Sequence, residues 1–220
     1  MTARLAALPL LAAIVSLASS ANAVPVAPVQ LWQESYYWDG LLEARSKNAR
    51  ISADANLIPV LKNVTQQMAQ QVANLRQIES YTKIQQDNLR FAFMQSEPDE
   101  SLTTIQTNLE TLAKGTAQIR SNLFYLAARC RMASSQALPD PELTTVSTSL
   151  IRQIQAAQLQ LNSLYTDAAA VQAQVKARSV PRDKFLRYRS SLLLKSVLET
   201  QSSIFSIYNA SYEIYLRSKQ

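Results

Sequence analysis

The sequence predicts an all-α protein, an elongated antiparallel bundle of long helices with coiled-coil-like seams and a short N-terminal helical arm. Glycine is nearly absent, with 2 residues in 220, whereas β-rich folds need glycine in their frequent tight turns. Apolar residues recur at alternating steps of three and four, the pattern of long packed helices. Prolines divide these stretches about every 40 residues, so the connections are short and consecutive helices should be antiparallel.

Residues 1–23 are predicted to be a cleaved secretory signal peptide. Arg4 precedes a run of 13 mainly apolar residues, Leu5 to Leu17, and Ala21-Asn22-Ala23 forms the small-x-small site that signal peptidase cuts after. The exported chain would then begin at Val24 and reside in the periplasm, at the cell surface or in a pilus. An uncleaved membrane anchor is the alternative, which the helix breaker Pro9 and the clean Ala-x-Ala site disfavour.

The net charge predicts the kind of neighbour that the exported chain meets. The full chain has 22 basic and 16 acidic residues, and Arg4 is the only charged residue in the signal peptide, so the exported chain carries 21 minus 16, or +5. This modest excess favours a membrane surface or an anionic cell envelope as a neighbour. It is too diffuse to indicate nucleic acid, and none is expected.

Residues that carry catalytic chemistry are scarce, since the chain has no histidine and a single cysteine. We therefore expect no enzyme activity, no cofactor and no bound metal. Cys130 occupies a seam position and is predicted to be a small buried hydrophobe and not a reactive thiol. The carboxylate pairs Asp99-Glu100 and Asp140 with Glu142 lie at predicted helix starts, where acids cap the helix and favour its dipole.

Residues 24–54 are predicted to form an N-terminal aromatic arm, separate from the long-helix bundle of residues 55–220. Leu31 to Lys47 is typical of a short helix and contains both tryptophans of the chain. Its large rings point to two sides of that helix, so one side should stay available to bind a partner. The predicted partner-binding residues are Trp32, Tyr36, Tyr37 and Trp38. The alternative is that the arm folds back and the bundle covers both sides.

Four long helices are predicted, each with its own apolar seam. The central seam contains Leu102, Ile105, Leu109, Leu112, Thr116, Ile119, Leu123, Leu126, Cys130 and Ala133. The first contains Leu57, Leu61, Val64, Met68, Gln71, Leu75, Ile78, Thr82, Gln85 and Leu89. The third contains Leu143, Leu150, Ile154, Ala157, Leu161, Leu164, Ala168, Val171 and Val175. The last helix, from about residue 180 to 216, has a broader face with Phe185, Leu192, Leu193, Val197, Ile204, Phe205, Tyr208, Tyr212 and Tyr215.

Two details of these seams carry further expectations. Gln71 and Gln85 stand where the first seam should be apolar, and such residues either fix the register between helices or mark a groove where a second subunit enters. Gly115, inside the central helix, is predicted to let another helix approach closely. Helix caps are expected at Asn56, Ser96, Asp140 and Ser179, each next to a proline-containing first turn.

A basic cluster surrounds the predicted start of the last helix. It contains Lys176, Arg178, Arg182, Lys184, Arg187, Arg189 and Lys195, with Asp183 as the single acid of that stretch. Cations in the first turn of a helix oppose its dipole, so a purpose other than local stability is indicated. We predict contacts with an anionic surface or an acidic partner through Arg182, Lys184, Arg187 and Arg189. The alternative is a turn whose charges are simply solvated.

Taken together, the signal peptide, a mature chain of about 200 residues and Gln-rich and Ala-rich helices such as Thr65 to Val72 resemble the minor pilus subunits of conjugation-type type IV secretion systems. The resemblance is one of layout over most of the mature chain. It implies a periplasmic and then surface-exposed helical bundle that assembles with other pilus or secretion-system subunits, with a role as tip adhesin. The chain departs from that layout in having four near-equal rods, where the family is described as a three-helix bundle with a smaller appendage.

Two other classes compete with this interpretation. A periplasmic holdase chaperone would expose basic and apolar faces inside an oligomer, although such chaperones need a β-rich oligomerisation core that the pattern lacks. A helical spacer protein would need no site at all. Genes for secretion ATPases and a pilin beside this one would favour the pilus interpretation, whereas outer-membrane assembly genes would favour the chaperone.

Overall fold

The computed structural model describes residues 57–94, 99–178 and 184–219, and these residues form an all-helical bundle. Its helices are α1 (Leu57–Ala92), α2 (Asp99–Gln136), α3 (Pro141–Ala177) and α4 (Lys184–Lys219). Each has 36 to 38 residues and is therefore a rod of about 55 Å. The predicted fold class is confirmed. The signal peptide and the aromatic arm lie outside the described residues.

The two sequential hairpins are α1 with α2 and α3 with α4. Polar contacts show that the helices of the first hairpin run antiparallel. Between α1 and α2, Asn122 donates to Gln71 and Asn108 donates to Gln85, both at 3.1 Å. Moving forward along α1 therefore moves backward along α2. These contacts also identify the two seam glutamines as register-fixing residues between α1 and α2.

The two hairpins lie side by side in the same direction, so α1 is parallel to α3 and α2 is parallel to α4. Lys62 near the start of α1 pairs with Glu142 near the start of α3 at 2.8 Å. Arg189 near the start of α4 pairs with Glu110 near the start of α2 at 2.7 Å. Around the bundle the order is α1, α2, α4, α3, and the link of residues 137–140 joins helices at opposite corners.

The core follows the predicted seams. Every predicted seam residue of α2 and α3 is buried, as are those of α1 except Leu57 and Ile78, which are partly buried. In α4 the prediction for Phe185 is wrong, because this side chain is 67% exposed while Leu186 is fully buried. Two apolar residues stand next to each other there, and only Leu186 has the spacing of three and four that continues through Ser190 and Leu193.

The start of α3 has the predicted cap. The Asp140 carboxylate accepts hydrogen bonds from the backbone N–H of Glu142 at 2.7 Å and of Leu143 at 3.1 Å, and Pro141 stands in the first turn. The backbone N–H of Asp140 also donates to the carbonyl of Ser218 at 3.0 Å, which ties this link to the end of α4. The predicted caps Asn56, Ser96 and Ser179 lie outside the described residues.

Small residues let α2 approach its neighbours closely. The hydroxyl of Ser196 on α4 donates to the carbonyl of Ala113 at 3.0 Å, and that of Thr200 donates to the carbonyl of Thr116 at 3.3 Å. On the α1 side, a Cβ added at Gly115 would stand 3.3 Å from the Ile78 side chain, which confirms the expected close approach. Hydroxyls that bond to a carbonyl of the next helix hold α2 and α4 together without bulky side chains.

Candidate functional site

One end of the bundle combines exposed apolar and basic side chains, and we call it the basic-aromatic end. It is the end where α1 and α3 finish and α2 and α4 begin. Phe91 and Met94, at the end of α1, are 68% and 82% exposed, and Phe185 and Tyr188, at the start of α4, are 67% and 59% exposed. None of these four side chains has a seam position that faces the core. Packing within the described bundle therefore does not account for apolar residues at these positions.

The cations of this end come from two helices that meet there. Lys176 and Arg178 stand at the end of α3, and Lys184 and Arg187 stand in the first turns of α4, all with exposed side chains. The Arg187 guanidinium donates to the carbonyl of Arg178 at 3.2 Å. This hydrogen bond joins the end of α3 to the start of α4, so the positively charged side chains of both helices lie at the same end of the bundle.

An aromatic ring joins α1 to the same cluster. The guanidinium carbon of Arg178 stands 4.6 Å from the centroid of the Phe93 ring, a cation–π geometry. Phe93 is half-buried, while its neighbours Phe91 and Met94 face outward. The end thus presents flat apolar groups beside guanidinium and ammonium groups, which is chemistry suited to an anionic partner with apolar patches.

The residues predicted from the basic cluster fall into different places. Lys184 and Arg187 are exposed at the basic-aromatic end, whereas Arg182 lies outside the described residues. Arg189 pairs with Glu110 on α2 at 2.7 Å, so its charge already serves the α2–α4 contact. A hydrogen bond from Lys114 lowers the pKa of Glu110. Desolvation opposes this lowering, and the charge of Arg189 adds a smaller lowering effect.

The predicted aromatic partner-binding residues, Trp32, Tyr36, Tyr37 and Trp38, lie outside the described residues. Sequence reasoning, in turn, missed Phe91 and Met94. A signal for them was present, since both stand off the α1 seam and directly before a proline-containing link. That position marks a helix end, where an apolar side chain has no neighbouring rod to cover it.

A second charged cluster joins the second halves of α1 and α3. The Lys83 ammonium stands 2.7 Å from Glu79 and 3.8 Å from Asp167, and the Ser163 hydroxyl donates to Glu79 at 2.5 Å. Burial raises the pKa of Asp167, and the charge of Lys83 offsets this only in part. The pKa of Lys83 is raised, chiefly by its hydrogen bond to Glu79, so the amine stays protonated and holds two helices together.

The single thiol is part of the α2–α4 contact. Cys130 is fully buried, and the Ser211 hydroxyl of α4 donates to its sulfur at 3.7 Å. Burial raises the pKa of the Cys130 thiol to about 12. Since the thiolate is the nucleophilic form, this cysteine is a packing residue, as predicted.

Among the described residues, no three His, Cys, Asp or Glu side chains come together in an arrangement that could hold a metal ion. None of the described helices has the combination of length and hydropathy that crossing a bilayer requires. Comparisons of this chain with protein-family models, with curated proteins and with solved structures find no match.

Proposed function

We propose that this protein is an exported structural subunit, a minor pilus component of a conjugation-type type IV secretion apparatus that assembles with other subunits of that apparatus. The observation that carries the proposal is the basic-aromatic end on a long, rigid helical rod. A role as tip adhesin follows if this end faces outward in the assembled pilus.

The composition of the end supports an interface. Exposed apolar side chains scattered singly are ordinary on a protein surface, but here four of them share one end of the molecule. Aromatic residues, methionine and arginine are the residue types enriched at the centres of protein interfaces. A rod that carries this set at its tip is suited to an end-on contact with another subunit.

The charges at this end supply a second argument. Lys184 is the first residue of α4 and Arg187 stands in its first turn. Positive charges at a helix N-terminus face the positive end of the macrodipole, at a cost of roughly 0.3–1 kcal/mol each. Arg187 offsets part of this cost through its hydrogen bond to the Arg178 carbonyl. The Lys184 charge opposes the dipole, and a role in binding acidic or anionic groups is the better explanation of its exposed ammonium.

The proposal is tested by removing these charges and measuring association. In a variant carrying Lys184→Gln and Arg187→Gln, binding to isolated pili should weaken several-fold and depend less on salt. Thermal stability should change little, because relief of the conflict between Lys184 and the helix dipole offsets the loss of the exposed hydrogen bond from Arg187 to the Arg178 carbonyl. Arg76→Gln with Arg152→Gln is the matched control, since it removes the same charge from exposed positions on the rod.

A second variant separates the apolar from the ionic contribution. Phe91→Ser with Phe185→Ser should weaken binding without changing its salt dependence, and Leu159→Ser is the control because Leu159 is 72% exposed in the middle of α3. Binding to vesicles that contain phosphatidylglycerol, measured alongside, distinguishes a membrane from a protein partner. If both variants bind pili and vesicles like the parent, the end is a solvated turn and the proposal is wrong.

A periplasmic holdase is the second candidate, and the exposed Phe91, Met94 and Phe185 side chains favour it, since such chaperones use apolar surfaces to hold unfolded clients. No strand occurs among the described residues to provide the β-rich core that such oligomers need. Suppression of aggregation of a reduced, unfolded client at equimolar ratio would favour the holdase. Binding to pili without such suppression would favour the pilus subunit.

A further inference from the structure

Besides its buried seam, α1 carries a second row of residues at alternating steps of four and three, which we call the outer stripe. The stripe runs from residue 63 to residue 91, a span of four heptads. Its spacing is that of a helix which packs along its length against another helix. Its members are Asn63, Gln67, Gln70, Asn74, Gln77, Tyr81, Ile84, Asn88 and Phe91.

The side chains of the outer stripe face solvent. Seven of the nine are exposed, and the other two, Gln67 and Asn74, are half-buried. The large apolar members are open to water as well, since Tyr81, Ile84 and Phe91 are 49%, 46% and 68% exposed. The buried seam already packs α1 into the bundle, so the bundle does not account for a second heptad row on the same helix.

The outer stripe contains no charged residue, although α1 has six. Each residue turns an α-helix by about 100°, so all six project into an arc of roughly 80° that does not overlap the stripe. That arc faces α3, where the Lys83 ammonium lies near Glu79 and Asp167. The six are Lys62, Arg76, Glu79, Lys83, Asp87 and Arg90. A face that contacts only water normally carries charges, so the uncharged face is suited to a protein contact.

The outward positions of α2 beside α1 extend this uncharged surface. Asn108 and Asn122 of α2 donate to α1, and the exposed residues one turn away from them lie along the same groove. These residues are Thr104, Thr111, Gln118 and Tyr125. Packed helices lie about 8 to 10 Å apart, and the stripe is about 42 Å long, so the two helices present about 800 Å². One partner of a stable protein complex buries about 800 Å².

We propose that the outer stripe of α1 is a contact between two copies of this chain, which lie side by side and parallel. Asparagine and glutamine each supply a donor and an acceptor, so a row of amides is complementary to itself. The chain has a net charge of +6, so two copies approach most easily through a face that adds no like charges. A membrane surface or an acidic partner would instead favour cations on this face.

The order of residues along the stripe determines the direction of pairing. The first five members are amides, and three of the last four are Tyr81, Ile84 and Phe91. A parallel pair places amide against amide and apolar group against apolar group. An antiparallel pair would bury the amides against apolar side chains, which cannot hydrogen-bond to them. Matched polar positions in a heptad seam fix the register of parallel helices in the same way.

Parallel pairing places the basic-aromatic ends of both copies at the same end of the dimer. A partner with two acidic sites would then be bound twice, and the second contact forms at a high effective concentration. The inference goes beyond the proposed function and does not depend on it, because it concerns the isolated chain.

Sedimentation equilibrium of the exported chain tests the contact. We expect a dimer with a dissociation constant of about 10 μM, the weak end of the range for interfaces of this size. Tyr81→Lys with Ile84→Lys should weaken the dimer by about ten-fold or more, because lysines of both copies then face one another. Leu159→Lys with Thr166→Lys is the matched control, since it adds the same charge at exposed positions of α3. Far-UV circular dichroism verifies that each variant retains the bundle.

Disulfide cross-linking tests the direction of pairing. In a parallel pair the two copies of Asn88→Cys lie close enough to form a disulfide, which requires Cα atoms within about 7 Å. In an antiparallel pair centred on the stripe they stand about 33 Å apart. Gln155→Cys, at an exposed position of α3, should not cross-link and is the control. The native Cys130 is buried and should not take part.

Three results would overturn the inference. A parent chain that stays monomeric up to about 200 μM has no such contact, and a dimer that tolerates the two stripe lysines uses another face. A dimer that does not cross-link through Asn88→Cys is not parallel. A ring of three or more copies would join two different faces and not the stripe to itself. The variant with Lys184→Gln and Arg187→Gln should dimerise like the parent, so failure here is distinguishable from failure of the proposed function.

Discussion

Leu123 is fully buried in the middle of α2 and is the residue on which the core can be tested most directly. Leu123→Ala should lower the free energy of unfolding by about 2 to 5 kcal/mol, through lost burial and the cavity left behind. Urea unfolding followed by far-UV circular dichroism measures this change. Leu159→Ala is the matched control: Leu159 is 72% exposed, so the effect should stay within about 0.5 kcal/mol. Equal effects of the two changes would mean that this face of α2 is not the core.

At the scale of single residues, the sequence predicted which side chains are buried wherever the apolar spacing was regular. It did not predict which residues the buried polar side chains would hydrogen-bond to. The seam spacing predicted that Gln71 and Gln85 face inward, but left open whether they meet a neighbouring helix or a second subunit. Their partners, Asn122 and Asn108, are separated from them by 51 and 23 residues. Only the packed bundle brings these amides together, because nothing in the local sequence of either helix specifies the register of its neighbour.

At the scale of elements, the α1–α3 contact should make stability depend on pH through Asp167. Burial raises the pKa of this carboxyl above its ordinary value of 3.8, so the folded state binds its proton more tightly than the unfolded state does. The protonated Asp167 carboxyl therefore contributes to the stability of the fold below pH 3.8. This contribution is lost as the pH rises through the pKa that Asp167 has in the folded state. Asp167→Asn should therefore raise the free energy of unfolding at pH 7, and the gain should vanish below pH 3.8.

Thermal melts of the parent and the variant between pH 3 and pH 7 test this dependence. Asp87→Asn is the control, because Asp87 on α1 has a 65% exposed side chain and a loose pairing with Arg90 at 3.6 Å. The neighbouring Glu79 acts in the opposite sense. Burial opposes, but the hydrogen bonds from Lys83 and Ser163 prevail and lower its pKa, so its contribution is lost on acidification. A gain for Asp167→Asn that is the same at both ends of this pH range would contradict the assignment.

The order of the helices around the bundle could not be predicted from the sequence. The breakers and the Asp140 cap predicted where α3 starts, and the short links predicted antiparallel consecutive helices. The link of residues 137–140 nevertheless joins opposite corners, and a link of that length is compatible with an adjacent or a diagonal partner. The choice is made by contacts distant in sequence, among them the hydrogen bonds of Thr144 on α3 to the Ser218 carbonyl and hydroxyl of α4 at 3.0 and 2.9 Å.

For the molecule as a whole, the sequence predicted the positive half of the basic-aromatic end and missed the apolar half. Lys184 and Arg187 belong to the basic cluster that stands out by composition, and Lys184 was among the cations predicted to oppose the helix dipole. Arg189 belongs to the same run but pairs with Glu110, which is 79 residues away and cannot be recognised before the helices are packed. Phe91 and Phe185 become a common surface only because the end of α1 and the start of α4 share one end of the bundle.

The bundle should unfold as one cooperative unit, because each helix packs against two others and the core continues through all four. Cys130 is a natural probe of this property. It lies in the α2–α4 contact, fully buried, and burial raises the pKa of its thiol to about 12, so the native protein should not react with a thiol reagent at pH 8. Across a urea titration, the fraction of reactive thiol should follow the loss of far-UV circular dichroism with the same midpoint. Reaction of Cys130 at urea concentrations that leave the helical signal intact would show that the two hairpins separate before they unfold.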